Sequence, residues 1–100
     1  VKKRVALADA ILLRPRLVLL DDVFAGFDRS MRHGAREIIK AVSAFSCVIL
    51  TGHEISDLAK IASRFLVLSD GRISASVETA GLSEAEILGR VDNALKGGAL

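Results

Sequence analysis

Three short stretches of the chain are almost wholly apolar, LVLL at 17–20, CVILT at 47–51 and FLVLS at 65–69, and between them apolar residues recur every three to four positions. The short runs, bounded by Pro15, Gly52, Gly71 and acids, are too brief for helices and predict strands, those at 17–20 and 47–51 buried on both faces. The intervening stretches carry helical spacing. Ala35, Ile38, Ile39, Val42 and Phe45 predict a helix from about Ser30 to Ala44, with Gly34 as its weak point. RVALADAILL at 4–13 has strong helix formers and no breaker before Pro15, which predicts a helix ending near Leu13. Ile55, Leu58, Ala59 and Ala62 share one side of a short helix over about 55–63. Asp70-Gly71 is a tight-turn signal joining 65–69 to RISASV as a hairpin. Ser83 followed three residues later by Glu86 is a capping box, opening a last helix from about Glu84 to Leu95 that Gly97-Gly98 ends.

Alternation of helices and strands predicts an α/β fold, a parallel sheet with helical crossovers. With 100 residues the chain is one small domain, and 51% hydrophobic content with 4% aromatic and no Trp or Tyr suits an aliphatic interior. Cys47 is the single cysteine, which excludes a disulfide framework or a Cys-based zinc site within the chain; its neighbours Val48, Ile49 and Leu50 predict a buried, inert thiol. No apolar run reaches the roughly 18–20 residues that span a bilayer and no targeting segment opens the chain, so the expected location is cytosolic. The net charge of +2 is unevenly spread: Lys2, Lys3, Arg4, Arg14 and Arg16 crowd the first sixteen residues against Asp9, and Arg32, Arg36 and Lys40 line one helix face. Without interleaved aromatics for base stacking, both stripes read as solvated surface, and no nucleic-acid partner is expected.

In open parallel sheets, ligands bind beyond the carboxyl ends of the strands. The polar residues gather there: Asp21 and Asp22 after the first strand, Thr51, Gly52 and His53 after the second, Ser69 and Asp70 after the third. Carboxylates so placed hold Mg²⁺, directly or through water, and orient a water for attack on a phosphate.

Five segments, in order and at matching spacing, resemble the later half of an ABC-type ATPase domain. KKRVALADAILLRP at 2–15 is similar to the helix after the family's signature sequence, LVLLDD to its Walker B strand, AGFD at 25–28 to its D-loop, TGH at 51–53 to its switch-histidine loop, and FLVLSDGRI at 65–73 to the strand and turn beyond. The resemblance implies a partial P-loop NTPase-like, RecA-like parallel sheet with flanking helices over about 1–73, and a C-terminal extension over 74–100. It implies ATP and Mg²⁺ as cofactors, with Asp21 organising Mg²⁺ through water, Asp22 in the place of the catalytic base, Asp28 at the interface of two ATPase domains, and His53 at the γ-phosphate or its attacking water. It also implies a membrane permease subunit and a second ATPase domain as partners, and a position at the inner face of a membrane.

The sequence departs from the family pattern in three ways. It contains no G-x-x-x-x-G-K-[ST] loop and no signature sequence, so the triphosphate lacks its backbone cradle and lysine, and the chain alone is expected not to hydrolyse ATP. Asp22 stands where glutamate is usual; a carboxylate retracted by about 1 Å loses on the order of a hundredfold in rate. Val23 stands where proline is usual, and Asp9 where arginine is. Two classes of function fit: part of a transporter ATPase, or a non-catalytic module that docks on an intact ATPase subunit. An unpartnered sheet edge predicts self-association.

Overall fold

A computed structural model describes residues 12–97. The order of elements is β1 (Leu17–Leu20), α1 (Arg29–Val42), β2 (Cys47–Leu50), α2 (Ile55–Ala59), β3 (Arg64–Ser69), β4 (Arg72–Glu78) and α3 (Glu84–Leu95). The expected helix over 4–13 lies outside the described residues except for Leu12 and Leu13, which form a turn rather than its last residues; Asp9 and the lysines near the start of the chain also lie outside. The chain divides into two compact units, the first running to His53 and the second starting at Glu54.

In the first unit β1 and β2 pair in parallel, Leu17 opposite Cys47 through Leu20 opposite Leu50, with α1 as the crossover between them. Asp28 starts α1, its Oδ1 accepting the Met31 N–H at 2.8 Å. The helix then continues through Gly34 and stops at Val42, two residues short of the expected end. Its 3.6-residue period withdraws Ala35, Ile39 and Val42 from solvent, whereas Ile38 and Phe45 remain nearly half exposed. The Arg14 guanidinium lies 5.2 Å from the centre of the Phe45 ring, so one charge of the basic stretch is spent on a cation–π contact.

The pleat separates the two faces of this small sheet. Val18 is buried and Leu20, Val48 and Leu50 are half-buried, but Leu17 is 50% exposed, Leu19 66% and Ile49 54%. Burial of β1 and β2 on both faces is therefore not observed. Cys47 stands level with Leu17 on the open face and its thiol is free and exposed, which corrects the expectation of a buried one. A run of aliphatic residues signals strand and cannot by itself specify which elements cover each face.

In the second unit β3 and β4 form an antiparallel hairpin, so the third apolar run pairs with RISASV rather than extending the parallel sheet. The two-residue turn Asp70-Gly71 has φ of 51° and 75°, the left-handed pair of a type I′ turn. A bulge between Val67 and Leu68 shifts the register, leaving Ser74 unmatched with its hydroxyl on the Val67 carbonyl at 3.2 Å. The shift turns Ile73 to the face of its partner Leu68, away from Ala75 and Val77. Phe65, Val77, Ile87 and Val91 form the core, with Ile55, Leu58, Ala59, Ala62 and Leu82 packed around them. Of the expected helix over 55–63 only Ile55–Ala59 is α-helical, yet its named apolar residues all reach this core. Helix α3 starts on the reciprocal capping box: Ser83 Oγ accepts the Glu86 N–H, and Glu86 Oε1 accepts the Ser83 N–H, each at 3.2 Å.

Candidate functional site

The carboxyl ends of β1 and β2 bring together four of the polar residues expected there. Continuing the register one step past Leu20 and Leu50 places Asp21 level with Thr51, and the Thr51 N–H accordingly donates to the Leu20 carbonyl at 2.9 Å. Period-two alternation puts both side chains on one face. The Thr51 hydroxyl donates to Asp21 Oδ1 at 2.5 Å and accepts the Asp22 N–H at 2.8 Å.

Asp22 leaves the strand with φ of 51°, a left-handed conformation that aspartate tolerates better than most side chains. Its carbonyl accepts the Ala25 N–H at 3.2 Å, and the Phe24 carbonyl accepts the Phe27 N–H at 3.1 Å, so the acid loop consists of two successive turns. Gly26, with φ of 79°, sits at the second, and buried Val23, Phe24 and Phe27 anchor the loop from beneath. The loop hands the chain directly to Asp28 and α1. His53 Nε2 lies 3.7 Å from Asp22 Oδ1, an ion pair when the imidazole is protonated; its side chain is 87% exposed and that of Asp22 42%.

Asp21, Asp22 and His53 thus gather at one sheet end, whereas Asp28 is occupied as a helix cap and Ser69 and Asp70 belong to the β3–β4 hairpin. Thr51 is the residue whose part the sequence does not disclose: its signal is a hydroxyl that the strand register sets beside an acid. The donor set can be tested against Mg²⁺. Asp21 offers hard carboxylate oxygen at an exposed position, but among the described residues no three His, Cys, Asp or Glu side chains cluster to hold a metal ion.

No family model matches the sequence. Individual proteins do. An energy-coupling factor transporter ATP-binding protein of Symbiobacterium thermophilum is 39% identical over 75 residues, covering 71% of this chain and 25% of that protein. A molybdenum import ATP-binding protein of Mycobacterium tuberculosis is 38% identical over 74 residues, covering 72% and 20%. An aliphatic sulfonates import ATP-binding protein of Rhodopseudomonas palustris is 33% identical over 79 residues, covering 76% and 28%. The chain belongs to the ABC transporter ATP-binding family. The matches cover no more than 28% of the length of these three ABC relatives. Its mixed α/β elements, with a parallel pair leading into adjacent acids, are compatible with part of the P-loop NTPase-like fold of an ABC ATPase. Among the described residues no helix is long and apolar enough to cross a membrane.

Proposed function

We propose that this chain contributes the acid and histidine side of an ATP-hydrolysing site in the ATP-binding subunit of an ABC transporter, on the cytoplasmic side of the membrane. The observation that carries the reading is the cluster of Asp21, Asp22 and His53 at the carboxyl ends of two parallel strands. In this reading Asp21 holds Mg²⁺ through water, Asp22 accepts the proton of the attacking water, and His53 senses the γ-phosphate. The bound Mg²⁺ would supply charge neutralisation on the phosphates. The phosphate cradle, the permease and the second ATPase domain that Asp28 would face come from outside these 100 residues.

Mg-ATP titrated into the 100-residue chain by calorimetry is expected to give no detectable heat of binding, since the sequence has no phosphate loop. Tight binding abolished by Asp21→Ala would refute that expectation. In a full-length subunit carrying this segment, Asp21→Asn should abolish hydrolysis. Asp22→Glu should raise turnover, by as much as the order of a hundredfold if the shorter carboxylate misplaces the water by about 1 Å. A subunit indifferent to both changes would refute the reading. A second reading, docking on an intact ATPase subunit without turnover, draws support from Asp22 in the glutamate position. It would be recognised by binding to such a subunit with no hydrolysis attributable to this chain.

A further inference from the structure

We infer that Thr51 is a positioning residue that fixes the two acids relative to each other, an inference that rests on the nucleotide-facing role proposed for Asp21 and Asp22. One hydroxyl links them across the strand pair: the Asp22 N–H donates to Thr51 Oγ1, and that oxygen's own proton goes to Asp21 Oδ1. A hydroxyl has a single proton to give, and here the direction of both bonds is set: the amide can only donate to Thr51 Oγ1, which leaves the hydroxyl proton for the carboxylate oxygen of Asp21. The three groups therefore form a chain of fixed polarity, in which each bond polarises the next.

The two ends of this chain control different things. At Asp21 it holds one carboxylate oxygen and so restricts the rotation of the group. At Asp22 it holds the backbone N–H at the residue where φ switches to 51°, the step that turns the second carboxylate out of the strand and to within 3.7 Å of His53. Thr51 is in turn held by the β-ladder through its own N–H on the Leu20 carbonyl. The site geometry is thereby referred to the rigid strand pair rather than to the exposed loop, as a preorganised site requires. Neither Asp21 nor Asp22 could gain this from a valine, which would keep the shape of Thr51 and the β-branched preference of the strand but offer no donor or acceptor.

The test is amide hydrogen exchange on the full 100-residue chain without nucleotide, comparing native, Thr51→Val and Thr51→Ser. The expected result is Asp22 amide exchange at least ~10-fold faster in Thr51→Val and restored by Thr51→Ser, while the amide at position 51 keeps its native rate because the ladder is intact. Unchanged Asp22 exchange in Thr51→Val would overturn the inference. So would equal acceleration at both amides, or a Thr51→Val chain that loses its folded spectrum while Thr51→Ser keeps it, since each means a merely structural hydroxyl. In a full-length subunit carrying the segment, Thr51→Val should lower kcat at least ~10-fold with KM for ATP within about twofold, and Thr51→Ser should recover most of it. A native subunit that hydrolyses no ATP would instead defeat the functional reading, leaving the exchange result to stand or fall separately.

Discussion

Asp28 stands in a D-loop-like sequence, and its carboxylate is already engaged on the Met31 N–H at the start of α1. Asp28→Ala should therefore destabilise the chain by about 1 kcal/mol in denaturant unfolding, and Asp28→Asn by much less, because the amide oxygen can still cap. The pair of variants separates capping from charge: a subunit impaired by Asn as strongly as by Ala would be using the negative charge, not the cap. Glu86 offers a pH handle at the other end of the chain. Hydrogen bonds from the Ser83 backbone and side chain, aided by Arg90, hold its carboxyl below the ordinary glutamate value of 4.5 against a small opposing effect of burial. With the folded pKa lowered, its contribution is fully present above the unfolded value and is lost as pH falls through the folded one. Melting curves of the native chain and Glu86→Gln should accordingly converge as the pH is taken from neutral to below 4.5. Ser83 and Glu86 are legible in the sequence because a capping box is complete within four residues. Thr51 is not, because its partners lie 29 and 30 positions away and only the β1–β2 register brings them together.

At the level of elements, two glycines make opposite predictions under the same substitution. Gly71 is the second turn residue of the β3–β4 hairpin at φ of 75°, with open space where a Cβ would stand, so Gly71→Ala meets a backbone penalty and no clash. It should destabilise by about 1–2 kcal/mol. Gly89 lies inside α3, also with open space around its missing Cβ, and Gly89→Ala should stabilise by roughly 0.5–1 kcal/mol. Thermal unfolding of the two variants beside the native chain checks both signs. The elements themselves were largely readable. LVLL, CVIL and FLVLS form strands, Asp70-Gly71 turns the hairpin, and α3 occupies the residues its pattern marks out. What the pattern could not supply is which side chains each element buries. The turn signal marks RISASV as the partner of the third run, but its Arg72 and two serines give little hint of a strand that buries Val77. Likewise the short helix ends at Ala59 although its apolar period continues to Ala62, since the chain must turn to bring Arg64 opposite Glu78. Those two residues then close an ion pair at 2.7 Å.

Considered as a whole, the molecule has two units that each leave an aliphatic surface in water. In one it is Leu17, Leu19 and Ile49; in the other Leu66, Leu68 and Ile73. The acid cluster and its threonine stand at the end of the first of these surfaces, so a substitution that makes the surface polar alters the neighbourhood of Asp21 without touching it. Leu19→Lys should lower concentration-dependent association, measured by sedimentation, with little loss of folding stability because the side chain is already two-thirds exposed. Cys47 shares that surface, level with Leu17 and one step from Ile49. Its thiol is in effect a built-in gauge of coverage. Alkylation by iodoacetamide should proceed at close to the rate of a free thiol in dilute solution, and slow as copies or partner segments close over the sheet, without any label having been introduced.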